Sequence, residues 1–321
     1  MKDGIDLFDW EQDGRISVVY VPTSISEMPY AHQYDINNYY YLFLAAAKRL
    51  YSERPLFEAM VQDRYVCTAD DLATQTIATK DPEATVSEAS EWLEAEGFDV
   101  APVSSGEDIR GYVVLEELQD APSTDHIVDH TKPITIGEIV SADATFEEVL
   151  LALYEDPFYF LGGQNRLTGI LTRADLNTSP ARMHLFDRIT LLEDQFRKLV
   201  LDVAPDWKEQ VALNTNVVED IEERHAEARR SNIELDEIHY AQFSTLATIV
   251  SDIEACWKAS GFSSDHRASS QLDDLTDLRN AVAHSHQVVQ NTEGGFGEGR
   301  TIGNVEQIYT TVEGCLESLS S

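Results

Sequence analysis

The feature that most constrains this chain is an internal repeat running from about residue 73 to 180. Thr85-Val86-Ser87-Glu88 and Thr145-Phe146-Glu147-Glu148 stand sixty positions apart, and each opens a helical pattern. In both, a Thr hydroxyl and a Glu three residues later can satisfy the first free amides of a helix. The helices continue through Ala89, Trp92 and Leu93, and through Val149, Leu150 and Leu153. A short apolar run follows each: Val100-Ala101-Pro102-Val103 and Phe158-Tyr159-Phe160-Leu161. Each run ends in a turn, Ser104 to Asp108 and Gly162 to Asn165. A second strand then leads into a new helix, as Arg110 to Leu118 and as Thr168 to Leu176. A doubled helix–strand–strand–helix unit builds small sheets with helices on them, so the fold class expected here is α+β.

The doubled unit resembles a pair of CBS domains. In that family a segment of the form Gly–apolar–apolar–Thr/Ser–x–x–Asp binds nucleotides, with the hydroxyl on a phosphate and the carboxylate on the ribose hydroxyls. Gly169, Thr172 and Asp175 occupy those places in the second repeat. The resemblance implies a regulatory adenine nucleotide (AMP, ADP or ATP) there, with no cofactor required. In the first repeat Val114 stands at the hydroxyl position and Glu117 at the Asp position. Valine cannot bond a phosphate, so one nucleotide site at most is expected. Read from the residues alone, Thr172 and Asp175 are equally an N-terminal cap with an acid at the positive end of the helix dipole. Arg173, Arg166 and Lys132 are the nearest cations for a phosphate, and each is also an ordinary surface charge.

After Pro180 the pattern turns helical. Leu185, Ile189, Leu192, Phe196, Leu199 and Val203 form one stripe from Met183 to Val203, with Pro205 interrupting it. This helix leads from the repeats into an all-α region and is the expected mechanical link between them. Mixed helical sequence follows from Asp206 to Trp257, and Ser260 to Ser270 reads as a polar loop. Leu272, Leu275, Leu278 and Val282 mark the next buried helical face, with Asp273, Asp274 and Asp277 toward its front. That helix carries Arg279-Asn280-Ala281-Val282-Ala283-His284. At about 100° per residue Asn280 and His284 share a face, and the long Arg279 side chain can lean toward them. A guanidinium that holds phosphate beside an imidazole that titrates near neutrality suits action on a phosphodiester. An Arg and a His bonding across a helix–helix interface is the plain structural alternative.

The run "LRNAVAH" resembles the HEPN superfamily, whose signature is Arg, often followed by Asn, then His after four to six residues. The resemblance implies a two-fold dimer whose paired motifs cleave RNA without metal. His284 would then move the proton, Arg279 stabilise charge on the phosphoryl oxygens, and Asn280 orient the pair. The His-Ser-His arrangement of His284 and His286 is too sparse for a metal site. Gly294 to Gly299 lacks a Lys and a preceding strand, so it reads as a connection and not a phosphate loop. A last helix is expected from about Val305 to Leu319.

Charge bears on the nucleic-acid reading. The 58 acidic residues outnumber 23 basic ones, for a net charge of −35. Lysine is confined to positions 2, 48, 80, 132, 198, 208 and 258, and acids are spread along the chain. Molar salt shortens the Debye length to about 3 Å and screens such self-repulsion, which points to a halophilic, archaeal type of protein. An acidic surface for basic partners is the alternative. No basic patch serves counterion release, so RNA recognition would rest on local contacts. Cys67, Cys256 and Cys315 lack metal spacing and are read as buried or reduced thiols. No signal-peptide pattern is read, and the longest apolar run, Tyr39 to Ala47, falls short of the roughly 20 residues of a membrane span. A cytoplasmic protein is expected.

The expected organisation is a region of unassigned role at 1–72, a CBS domain pair at 73–180 and a HEPN-like helical domain at 181–321. Within the first, Arg15 to Val21 alternates like a strand, Tyr39 to Tyr51 reads as a helix, and Tyr30, Tyr34 and Tyr39 to Tyr41 read as a packing face. The function expected is a sensor of adenine nucleotide controlling a metal-independent endoribonuclease. The alternative is a non-catalytic regulatory or dimerisation protein whose helical domain binds a partner.

Overall fold

The computed structural model describes residues 4–10, 16–22, 66–75, 77–106, 108–163, 166–233, 235–290 and 299–320. The chain divides into two units between Tyr65 and Val66. Within the first, β1 (Gly4–Trp10) pairs antiparallel with β2 (Ile16–Pro22), Gly4 opposite Pro22 and Trp10 opposite Ile16. The helix expected at Tyr39 to Tyr51 and the tyrosine face lie outside the described residues.

The second unit opens with α1 (Ala69–Leu72) and then the first repeat: α2 (Val86–Glu96), β3 (Val100–Ser105), β4 (Asp108–Val114) and α3 (Leu115–Gln119). The second repeat follows as β5 (Ile139–Ser141), α4 (Phe146–Glu155), β6 (Phe158–Gly163), β7 (Arg166–Thr172) and a 3-10 helix over Arg173–Asn177. Both capping boxes form. Glu88 N–H reaches the Thr85 hydroxyl and Glu148 N–H reaches that of Thr145, each at 3.3 Å. The two hairpins match in detail. Val100 faces Val114 as Phe158 faces Thr172, and a bulge breaks the register after Val103 and after Leu161.

The repeat also extends further forward than the sequence pattern suggests. Residues 66–75 complete the second repeat, not the first. Ala69 N–H bonds the Ala144 carbonyl at 2.9 Å, and Thr74 exchanges backbone bonds of 3.0 and 3.1 Å with Ile170 of β7. Its counterpart in the first repeat is the stretch around the 3-10 helix Ile127–His130. There Ile127 N–H bonds the Ala84 carbonyl at 2.9 Å, and Lys132 exchanges bonds of 2.9 and 2.8 Å with Tyr112 of β4. Glycine is required at one of these crossings and gives room at the other. A Cβ at Gly169 would stand 3.1 Å from the Thr74 carbonyl, and one at Gly111 would collide with the Lys132 carbonyl.

The first repeat has its own core of Val86, Ala89, Leu93, Ala101, Val103, Val113, Leu118 and Ile127. A small aromatic cluster joins it to the second. Tyr112 lies 5.6 Å from Phe158 and 5.5 Å from Phe160, ring centre to ring centre. By contrast, the core of the second repeat runs without a break into the helices that follow.

Those helices are α5 (Ser179–Val203), α6 (Trp207–Gln210), α7 (Thr215–Arg230), α8 (Phe243–Asp252), α9 (Glu254–Ala259), α10 (Asp265–Ala283) and α11 (Ile302–Ser320). Pro180 sits in the first turn of α5, where a missing N–H costs nothing. The expected stripe is buried at Leu185, Ile189, Leu192 and Phe196, and the helix ends two residues before Pro205. The polar loop expected at Ser260 to Ser270 is shorter than that. The Ser264 hydroxyl caps Arg267 N–H at 3.1 Å, and α10 starts at Asp265, so polar residues there form a helical first turn. The last helix begins at Ile302, three residues earlier than expected. Most of the glycine-rich run lies outside the described residues.

Helix α11 packs between α5 and α4 of the second repeat. Phe146, His184 and Tyr309 meet there, with His184 Nε2 3.0 Å from the Tyr309 hydroxyl. Arg188 and Glu313 form a two-pronged ion pair beside them. The second repeat and the helical region therefore share one buried face, and α5 is only one of their links.

Candidate functional site

Two places draw together the residues singled out from the sequence. The first is the corner where β7 turns into the 3-10 helix Arg173–Asn177. Thr172 ends the strand, and Asp175 is the third residue of the helix. The carboxylate accepts from Thr172 N–H at 2.7 Å and from the Thr172 hydroxyl at 2.9 Å. The Thr74 side chain lies close enough to favour its charge as well. Asp175 is 8% exposed, and burial raises its carboxyl above the usual carboxylate range, with the Thr172 bonds and Thr74 only partly opposing this. Gly169, on the strand leading to this corner, admits the crossing Thr74 backbone.

The nearby cations are engaged elsewhere. Arg173 Nε donates to the Leu153 carbonyl at 2.8 Å and its terminal nitrogen to that of Tyr154 at 3.3 Å, so it closes the end of α4. Lys132 pairs with Glu117. The Arg166 side chain lies outside the described residues.

The equivalent corner of the first repeat differs as its sequence requires. Val114 leads into α3 with no side-chain cap, and Glu117 is exposed to solvent. Two matched corners therefore exist, and only the second holds a hydroxyl and a buried carboxylate together.

The second place is the end of α10. Leu272, Leu275, Leu278 and Val282 are buried, as the spacing requires. Arg279 is half-buried, and Asn280 is exposed one residue on. The Arg279 guanidinium donates to Asn280 Oδ1 at 3.4 Å, while its Nε is buried with no hydrogen-bond partner among the described residues. His284 is the C-cap, and the left-handed Ser285 (φ 57°) turns the chain. His286 N–H then closes on the Ala281 carbonyl at 2.8 Å. The exposed rings of His284 and His286 stand 6.0 Å apart. No hydrogen bond joins Arg279 to His284 within the described residues of this single chain.

Sequence reasoning missed the residue that lies between these places. Asn177 ends the 3-10 helix that begins at Thr172. Its Oδ1 accepts from Val288 N–H at 2.7 Å and Val289 N–H at 3.0 Å, and its Nδ2 donates to the Val289 carbonyl at 2.9 Å. Arg300 holds the same segment, donating to the Val288 carbonyl at 3.1 Å. Nothing in the local pattern around Asn177 signals partners more than a hundred residues away.

An open cleft of about 700 Å³ lies at the hairpin end of the second repeat, lined by Thr68, Asp70, Gln75, Asp143, Leu167 and Thr168 among others. Because β7 runs from Arg166 to Thr172, this is the opposite end of the strand from the Asp175 corner. No cluster of three or more His, Cys, Asp or Glu side chains suited to a metal occurs among the described residues. Among them, no helix is long and apolar enough to cross a membrane.

No protein-family model and no curated protein matches this sequence. Solved structures similar to it include a CBS-domain containing protein from Agrobacterium tumefaciens. It is 15% identical with a TM-score of 0.32, over 35% of this chain and 93% of that one. A CBS domain pair/ACT domain protein from Thermotoga maritima is 19% identical with a TM-score of 0.29, over 34% and 91%. CBSX2 in complex with AMP is 19% identical with a TM-score of 0.30, over 36% and 98%.

Proposed function

We propose that this chain is a sensor of adenine nucleotide whose helical region acts on RNA. The observation that carries the sensor reading is the asymmetry between the two matched corners. Asp175 is a nearly buried carboxylate that the fold keeps where the first repeat has an exposed Glu117. A carboxylate raised by burial gains from further donors, and the vicinal hydroxyls of a ribose supply two. Thr172, ending the strand beside it, would meet a phosphate, as the resemblance to CBS domains implies.

For the helical region, the half-buried Arg279 precedes the exposed Asn280 at the end of α10, where His284 is exposed too, and this grouping supports an anion site. In this reading Arg279 holds a phosphodiester, Asn280 orients it, and the exposed His284 exchanges a proton with the 2′-hydroxyl or the leaving oxygen. A second copy completes the site in a two-fold dimer. The lack of a hydrogen bond between Arg279 and His284 among the described residues favours a second reading, in which the same residues bind RNA or a partner without cleaving it.

Two assays on the full chain in molar KCl test this. Calorimetry with AMP should show binding that Asp175→Asn weakens by about 10- to 100-fold, the loss of one or two bonds to a charged acceptor. Labelled tRNA and structured RNA, incubated with chelator, should be cut by the parent and not by His284→Ala. Cleavage by both would remove His284 from the chemistry, and cleavage by neither, with or without AMP, would leave the binding reading.

A further inference from the structure

We propose that Asn177 couples the Asp175 corner to the histidine pair, so that a change at one is felt at the other through a single side chain. This builds on the two-site reading above. A primary amide offers one acceptor oxygen with two lone pairs and a donor nitrogen, so it can imitate a strand edge. Asn177 uses it that way, taking two amides of the Val288–Val289 segment and returning one bond to it. The two valine side chains are buried at 0% and 4% exposure, so their backbone has little access to water, and Asn177 satisfies much of it.

The path is short at both ends. Asn177 lies two residues beyond Asp175 in one 3-10 helix, whose opposite end is fixed by the Thr172–Asp175 bonds. The Thr178 hydroxyl closes that helix on the Asp175 carbonyl at 2.6 Å. At the other end, Val288 lies two residues beyond His286, whose own amide is tied back to α10. Arg300 grips the Val288 carbonyl; burial lowers its pKa, and Asp277 and Asp274 of α10 partly oppose this. Contiguous bonded contacts of this kind can carry coupling when both sites bias the same element. A rotation of the 3-10 helix must either drag the Val288–Val289 segment with it or strip bonds from buried amides.

The test uses the full chain in molar KCl with ¹³C-labelled histidine, the signals of His284 and His286 assigned by single substitution. Thr172→Val removes the hydroxyl that bonds Asp175. It should move both histidine signals in the parent and speed hydrogen exchange at the Val288 and Val289 amides. In an Asn177→Ala background the same change should leave the histidine signals in place. Asn177→Asp keeps the acceptor for both amides and should keep the response; Asn177→Ser, whose short hydroxyl cannot replace the three amide bonds, should lose it and serves as the reading if Asn177→Ala does not fold. Equal responses in all backgrounds, or none in the parent, overturn the proposal. An AMP titration separates the layers. If AMP does not bind while Thr172→Val still acts through Asn177, the nucleotide reading fails and the coupling stands. If AMP binds and moves the histidines as strongly in Asn177→Ala, the coupling is overturned.

Discussion

At the scale of single residues, Asp175 sets stability against binding. Burial raises its carboxyl, so the folded chain holds that proton more tightly than the unfolded chain does. The stabilisation from the protonated form is complete below the unfolded value, near 3.9. It is lost as pH rises through the higher folded value. Asp175→Asn keeps an acceptor for Thr172 and removes the titration. The variant should therefore show a higher urea midpoint at neutral pH, with a flatter dependence from pH 4 upward, while binding AMP more weakly. A lower midpoint would mean that the charge is needed by the fold and not kept for a ligand. The cysteines show the opposite economy: burial pushes the Cys256 thiol up to about 11 and Cys315 up to about 12, leaving both as inert packing groups.

At the scale of elements, the junction of α4, α5 and α11 holds one of the buried groups through which the fold responds to pH. His184 is buried against Phe146 and bonded to Tyr309, and desolvation, then the nearby Arg188, lower its pKa, with Glu313 and Asp187 opposing. A depressed histidine stabilises the fold above its unfolded value of about 6.5, and that contribution is lost as pH falls through the folded value. Urea midpoints should drop on acidification below about pH 6.5, and His184→Gln should flatten this part of the profile. A parallel drop in the variant would place the response in other groups. Elements are also where sequence and structure diverge most clearly. The paired capping boxes at Thr85 and Thr145, the hairpins and the stripes of α5 and α10 were legible because each is local and periodic. The role of residues 66–75 was not. Thr74 has a partner at Ile170, and the short α1 has no periodicity to announce it. Of the candidate sites, Thr172 and Asp175 could be named from a motif. Asn177 could not, because its bonds span 111 and 112 positions.

For the whole molecule, the charge of −35 makes stability a function of salt. Repulsion among exposed carboxylates is screened as the Debye length falls from about 10 Å at 0.1 M to about 3 Å at 1 M. Urea midpoints should rise steeply with KCl across that range, and a flat profile would sink the halophilic reading. The joints of the molecule are unequal. The first repeat meets the second through a small aromatic cluster around Tyr112, whereas the second shares a continuous core with the helices. A ligand that rocks one repeat against the other would thus move the first repeat against the second repeat and its helices. The crossing of residues 66–75 into the second repeat has a consequence for synthesis. On the ribosome these residues emerge well before their partners, Ala144 and Ile170, which lie roughly 70 to 100 positions later. At about 5–20 residues per second, Cys67 and Leu72 wait several seconds, uncovered, while the first repeat folds beside them. The nascent chain must keep this segment open until the piece that covers it has been made.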